Sequence, residues 1–211
     1  NIIYTKTKDE FEICEHGYLV CKDGKVEGIY QTLPFRLGGE PIEDHGDCLI
    51  IPGMTDLHIH APQYTFRGTG MDLELLEWLG TNTFPEEAYK DVLYANEAYA
   101  KFAKNLKHSS TTRACVFGTI HRRSTLVLMD YLERSGLVTM VGKVNMDRNS
   151  PDELREGTQE SAEETVEWMK DVQHKKYKNT LPILTPRFIP SCTDELLDML
   201  KMVQMRYQIP V

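Results

Sequence analysis

His58 and His60 stand one residue apart in the stretch PGMTDLHIHA, residues 52 to 61, and Asp56 precedes them at the same spacing. On a β-strand alternate side chains project to one face, so the two imidazoles would point together. Neutral imidazole is a good zinc ligand, and two converging ring nitrogens supply part of a tetrahedral shell. Asp56 shares their parity; it reads either as a group that orients a ligand or as a strand-end cap. A catalytic zinc needs about three protein ligands and an open position for water. The other histidines are His16, His45, His108, His121 and His174. His121 closes the stretch FGTIH and is expected at a strand end facing the same mouth, where it could touch a metal, a substrate or neither. His108 and His174 lie in polar, helix-terminal stretches and are expected to be solvated. His16 and His45 fall in an N-terminal β-rich segment. The residues alone therefore offer two ligands and no complete shell.

The elements that must position this pair follow from the pattern. Residues 1 to 50 read as a small β-module, in which GYLVCKDGKVEGIY alternates around Asp23-Gly24 as a hairpin does. From Leu49 the pattern changes. CLIIPG is an apolar run of the kind expected in a strand covered on both faces. FPEEAYKDVLYANEAYAKFAKNLKHS, from Phe84, has helical period, with Pro85 and two glutamates placed as at a helix start. STTRACVFGTI reads as a strand, RSTLVLMDYLERSG as a helix closed by Gly136, and LVTMVGKVNMD as a third strand. SAEETVEWMKDVQHKK is a third helix, acidic early and basic late as the helix dipole favours. LPILTPRF is a fourth strand, TDELLDMLKMVQMRY a helix capped by Thr193, and QIPV the start of a fifth strand. Such alternation predicts a parallel α/β sheet over 51–211. A doubly wound sheet and a (β/α)8 barrel both satisfy the period. No Gly-rich phosphate loop follows the first strand, which weighs against a nucleotide-binding sheet. The histidine pair at a strand's C-terminal end, where barrel active sites lie, favours the barrel.

Composition narrows the function classes. With 41% hydrophobic and 27% charged residues the chain is ordinary for a globular protein. A formal net charge of -8 argues against nucleic-acid backbone binding. No apolar stretch approaches the roughly 20 residues that span a bilayer, so no membrane partner is expected. The five cysteines, Cys14, Cys21, Cys48, Cys115 and Cys192, are odd in number and form no CxxC. They read as free thiols of a reducing, cytoplasmic compartment. No signal peptide is visible, although the chain begins at Asn1 rather than Met.

DHGDCLIIPGMTDLHIHAPQY resembles the opening of an amidohydrolase-superfamily barrel, in which PGxxDxHxH marks the end of the first strand. Four stretches together, HIHAPQYTFRG, LELLEWLGTNTFPEE, VGKVNMDRNSP and ILTPRF, resemble the guanine deaminase family, and the likeness runs over essentially the whole chain. The resemblance implies a TIM-type (β/α)8 barrel present in part, as about five strands, with residues 1–50 belonging to a composite β-sandwich. It implies that His58 and His60 ligate one zinc per active site, that Gln63 hydrogen-bonds the purine, that Arg187 meets the guanine carbonyl oxygen, and that Phe188 packs on the ring or offers its backbone N–H. An obligate donor such as Arg distinguishes a carbonyl from an amine, and a site built around such a bond rejects analogues lacking it. Two-metal members of the superfamily carry a carboxylated lysine at the fourth strand end. TPRF has none, and Lys143, within the third strand, does not match that position, so a single zinc is implied.

The implied reaction is zinc-dependent hydrolytic deamination of guanine to xanthine and ammonia. Zinc makes hydroxide available near neutral pH, and a carboxylate carries the proton to the leaving nitrogen. The family's further ligands, and its proton-shuttling Glu, belong to strands expected beyond Val211. On this reading the segment is the N-terminal part of a longer enzyme and is inactive alone, with open sheet edges. The resemblance also suggests a homodimer. Two rivals stay open: another amidohydrolase acting on an aminated or chlorinated ring, and a non-catalytic half-barrel that binds a partner or a base. A deaminase of the other zinc class would need a CxxC, which is absent. Trp78 and Leu79 read either as pocket rim or as a buried helix face, and FRGTGMD as a mobile loop or an ordinary turn.

Overall fold

Asp23 and Gly24 both take positive φ, 52° and 74°, as the two central residues of a type I′ hairpin must. They join β3 (Tyr18–Lys22) to β4 (Lys25–Tyr30), which pair antiparallel with Lys22 opposite Lys25. A second hairpin precedes them, β1 (Ile2–Thr7) on β2 (Glu10–Cys14). The computed structural model describes residues 1–83 and 88–211, and the chain divides into two units, Asn1–Gly53 and Met54–Val211. CLIIPG does not form the expected buried strand. Ile50 makes an isolated bridge to Ile2, while Leu49 and Ile51 are 55% and 47% exposed. Pro52 has no N–H to give a ladder, and Gly53 has no side chain to pack.

In the second unit β5 (Met54–His60), β6 (Thr111–Phe117), β7 (Val138–Gly142) and β9 (Thr180–Pro182) form one parallel sheet in the order β5-β6-β7-β9. The order follows the chain without reversal, unlike a doubly wound sheet, which reverses at its switch point. The third and fourth strands are each broken in two. β8 (Val144–Asn145) pairs in parallel with β10 (Thr185–Pro186) and not with the main sheet. The break is side-chain chemistry. Thr185 Oγ1 donates to Lys143 O at 2.9 Å and so occupies a carbonyl that a ladder would use. The same hydroxyl lies so close to Gly142 that a Cβ there would meet it at 2.3 Å; only glycine fits. Among the described residues the expected fifth strand is not formed over 208–211, where Leu184 N–H donates to Pro210 O at 2.9 Å. Gln208 is left-handed at φ 51°, and Pro210 lacks a donor.

Among the described residues the α-helices are α1 (Leu75–Trp78), α2 (Val92–Lys107), α3 (Arg122–Ser135), α4 (Thr158–Lys175) and α5 (Asp194–Tyr207). Helix α2 starts at Asp91, whose side chain accepts from Leu93 N–H at 2.8 Å. The expected start at Phe84, Pro85, Glu86 and Glu87 lies outside the described residues. Gly136 closes α3 at φ 80°, and Thr193 caps α5 by accepting from Leu196 N–H at 3.1 Å, as read from the sequence. Leu128, Met129 and Leu132 of α3 are fully buried in one cluster with Val116, Val141 and Trp168. Truncating such a leucine to alanine costs about 2–5 kcal/mol.

Two carboxylates fasten loops at the two ends of the sheet. Glu133 accepts from the backbone N–H groups of Lys178, Asn179 and Thr180 at 2.9, 3.0 and 2.9 Å, just ahead of β9. Asp147 accepts from Thr193 N–H at 2.7 Å, from the Thr193 hydroxyl, and from Thr158 Oγ1 at 2.8 Å, tying the starts of α4 and α5 together. Burial pushes both carboxyls up, but their donors together outweigh it and hold each below its ordinary value. A carboxylate depressed by folding stabilises above its unfolded pKa, and that share is lost as pH falls through the folded value. Stability measured by urea unfolding is therefore expected to fall steeply below about pH 4. Glu133→Gln and Asp147→Asn should each lower stability at pH 7 and flatten that acid limb.

Candidate functional site

The register between β5 and β6 slips where the histidines begin. Asp56 lies opposite Ala114 and Ile59 opposite Val116, so β5 carries one extra residue across Leu57–His58. Such a bulge re-aims side chains and is common beside active sites. It breaks the parity of Asp56 with the histidines. Asp56 Oδ1 accepts from the His58 backbone N–H at 3.1 Å; it caps the bulge locally, the second of the two roles open for it. Past the bulge the imidazoles converge, with 3.1 Å between the two Nε2 atoms. The Phe117 ring backs both, 4.6 Å from His60 in a stacked arrangement and 4.7 Å from His58.

The pair fits a shared cation. Two Zn–N bonds of about 2.05 Å at a tetrahedral angle place the nitrogens ~3.3 Å apart, close to the separation here. His60 Nδ1 is buried without a hydrogen-bond partner among the described residues. Burial, then the Arg187 charge and His58, press the His60 pKa down to about 3, so the ring is in its neutral, ligating form. Among the described residues no third His, Cys, Asp or Glu joins the two in a metal-binding group.

His58 and His60 line a cavity of about 640 Å³ together with Gln63, Arg187 and Phe188, so all five residues singled out in the sequence meet at one place. Gln63 sits in the 3-10 turn Ala61–Phe66 that follows β5 directly. Arg187 and Phe188 follow β10 directly, and the Arg187 N–H donates to Asn145 O at 3.2 Å. The facing wall includes Leu75, Trp78 and Leu79; of the two readings for Trp78 and Leu79, pocket rim is the one realised. Trp78 Nε1 donates to Thr69 O at 2.9 Å, and Gly70, at φ 62°, lies where a Cβ would strike Asn82 Nδ2 at 2.6 Å. The FRGTGMD stretch is therefore a turn tied to the wall. Tyr64, Arg67 and Phe102 also line the cavity and were not singled out. Tyr64 and Arg67 stand beside Gln63 in the quoted motif and pair face to cation at 3.9 Å. Phe102 reads from sequence as an ordinary core residue of α2.

Two further residues lie elsewhere than expected. His121 does not end a strand: β6 stops at Phe117, and His121 is the N-cap residue of α3. It does not line the cavity, and its buried Nε2 has no hydrogen-bond partner among the described residues. Lys143 is not within a strand but between β7 and β8. It is fully buried, and its Nζ donates to Glu156 Oε1 and Oε2 at 2.7 and 2.8 Å and to Val144 O at 3.2 Å. Burial pushes the lysine down and the glutamate up, each opposed by the other's charge. His108 and His174 are exposed as expected.

Residues 49–211 match the model of the Amidohydrolase family. A guanine deaminase of Dictyostelium discoideum is 42% identical over 159 residues, which is 75% of this chain and 35% of that protein. A guanine deaminase of Escherichia coli K12 is 37% identical over 199 residues, 92% of this chain and 44% of that protein. The solved guanine deaminase from C. acetobutylicum with bound guanine in the active site has a TM-score of 0.91 at 45% identity, covering 100% of this chain and 50% of that one. The chain thus spans between about a third and a half of the length of these relatives. Its four parallel strands form part of a barrel of this kind.

The electrostatics of His121 yield a test. Burial, then the charges of Lys143 and Lys90, lower its pKa to about 4. Between that value and the unfolded ~6.5 the unfolded chain holds a proton that the folded chain lacks, so His121 makes stability fall as pH drops through this window. In ring-proton spectra His121 is expected to titrate near pH 4. His121→Asn should remove its share of the stability slope between pH 6.5 and 4; an imidazole titrating near 6.5 would contradict the buried placement.

Proposed function

The chain belongs to the amidohydrolase family, and from that premise we propose that the protein carrying it deaminates guanine hydrolytically to xanthine and ammonia. The observation that carries this reading is a cavity lined together by a converging histidine pair and by Gln63, Arg187 and Phe188. Its volume of about 640 Å³ is ample for a purine, within the ordinary range of small-molecule sites. Arg187 presents donors only. That suits the ring carbonyl oxygen of guanine and offers nothing to an amine in its place. The Gln63 amide both donates and accepts, matching the mixed edge of the same ring. The Phe188 ring, 39% exposed at the cavity, gives the base a face to stack on. Leu75, Trp78 and Leu79 add apolar surface for the ring faces of the base.

His58 and His60 would hold one zinc ion, which when bound supplies a nucleophile at neutral pH and polarises the reacting ring. Phe117 keeps both rings turned toward one point, and burial keeps His60 unprotonated. A third ligand and a carboxylate for proton transfer are also required, and the described residues do not gather them around the pair. We therefore propose that the 211 residues alone do not turn over guanine. Among the described residues no helix is long and apolar enough to cross a membrane. All five cysteines are free thiols, which suits a reducing compartment such as the cytoplasm.

The test is steady-state turnover of guanine, followed by xanthine formation, with metal analysis of the same samples. The complete protein is expected to be active with about one zinc per site, and the 211-residue chain inactive. His58→Ala should lose the metal. Arg187→Ala should keep it and lose about 10- to 100-fold in kcat/KM for guanine, the worth of a charged hydrogen bond. Turnover of another aminated ring with none of guanine would overturn the substrate assignment.

A further inference from the structure

We propose that the buried Lys143–Glu156 pair is a positioning device for Arg187; the inference rests on the base-reading role given to Arg187 above. The pair lies outside the cavity, yet a continuous set of bonds joins it to the segment that carries Arg187. Glu156 Oε2 accepts from Ser161 Oγ at 2.7 Å. Ser161 Oγ in turn accepts from Asn145 Nδ2 at 2.8 Å, and the same amide donates to Thr165 Oγ1 at 2.8 Å. Asn145 is thus gripped from the first turns of α4. Its carbonyl oxygen accepts the Arg187 N–H at 3.2 Å and the Cys192 thiol at 3.4 Å. On the lysine side, Nζ holds Val144 O, and Thr185 Oγ1 holds Lys143 O. The short β8–β10 pair, Val144 with Thr185 and Asn145 with Pro186, is therefore held at both its residues, and Arg187 is the next residue out.

Stability does not explain this arrangement. Taking two charges out of water costs more than their attraction usually returns, and well-packed apolar residues often serve a core as well or better. What the ion pair supplies instead is direction. Three donor hydrogens of Lys143 have three fixed acceptors, and Glu156 passes the constraint to Ser161 and Asn145. The two strands break at this point, so the main sheet ladder does not place Arg187; the polar set does.

The experiment uses the complete protein. Lys143→Met alone strands a buried carboxylate and is expected to fold poorly, so the informative variant is Lys143→Met/Glu156→Met, which restores an apolar, volume-matched core. Ser161→Ala is the milder companion, since it keeps the ion pair and cuts only its link to Asn145. Three measurements are made on each: thermal midpoint, KM and kcat for guanine, and amide exchange at Arg187. The expected result is a double variant with its midpoint kept, about tenfold faster exchange at the Arg187 amide relative to α3, and a KM raised about tenfold with kcat changed much less. Ser161→Ala should move the same quantities in the same direction by less. Combined with Arg187→Lys, the double variant should add little to the KM defect, because both act through one contact. A folded double variant with parental exchange at Arg187 overturns the proposal, as does a defect that simply multiplies with Arg187→Lys. If the parent protein proves inactive on guanine, the functional reading fails by itself, and the exchange measurement still decides whether the pair positions Arg187.

Discussion

Every strand of the main sheet runs in the same direction, and a parallel sheet delivers all its C-terminal ends to one side. That constraint is what makes a site from these residues. His58 and His60 leave β5 there, Phe117 leaves β6 beside them, and Arg187 and Phe188 arrive there after β10. Residues far apart in the chain meet because each sits at the end of a strand. The helices between serve this arrangement by burying one face of the sheet, with Leu128, Met129, Leu132 and Trp168 fully enclosed. The candidate site then lies on the rim of the sheet rather than on long loops.

The places where the sheet departs from regularity are the places where the site is set. The bulge at Leu57–His58 lets the two imidazoles converge and leaves Asp56 to satisfy the backbone. The breaks at Lys143 and ahead of Thr185 release the last residues of two strands from the main ladder and hand them to side chains. Regular pairing would have carried these strands straight on. Gly142 is where the trade is most visible: its missing Cβ lets Thr185 come close enough to capture the Lys143 carbonyl.

Charge is distributed with the same economy. Carboxylates at the sheet ends stay ionised because several donors converge on each, Glu133 on one side and Asp147 on the other. His60 at the cavity and His121 at the start of α3 are held in the neutral form because burial and neighbouring charges oppose their protonation. The histidine pair, the guanidinium groups of Arg67 and Arg187 and the apolar side chains of Leu75, Trp78 and Leu79 line the same cavity.

The sequence by itself determined whatever is local. Asp23-Gly24 specifies its turn through positive φ, Gly136 ends α3 and Thr193 begins α5, because each of these acts on residues within one turn of itself. The HxH spacing was legible as a pair of candidate ligands because it is a short string, whereas Gln63 and the TPRF stretch were picked out only through the family resemblance; the two histidines, Gln63, Arg187 and Phe188 line one cavity. Only the tertiary structure decided what depends on neighbours distant in the chain. CLIIPG is apolar enough for a buried strand, but nothing in six residues says whether they will be covered, and Leu49 and Ile51 are not. LVTMVGKVNMD and LPILTPRF have continuous β pattern, but they break because Gly142, Lys143 and Thr185 meet across two strands. His121 falls beyond its strand, and QIPV forms none, since a ladder needs a partner in register and a pattern of side chains carries no record of where that partner runs.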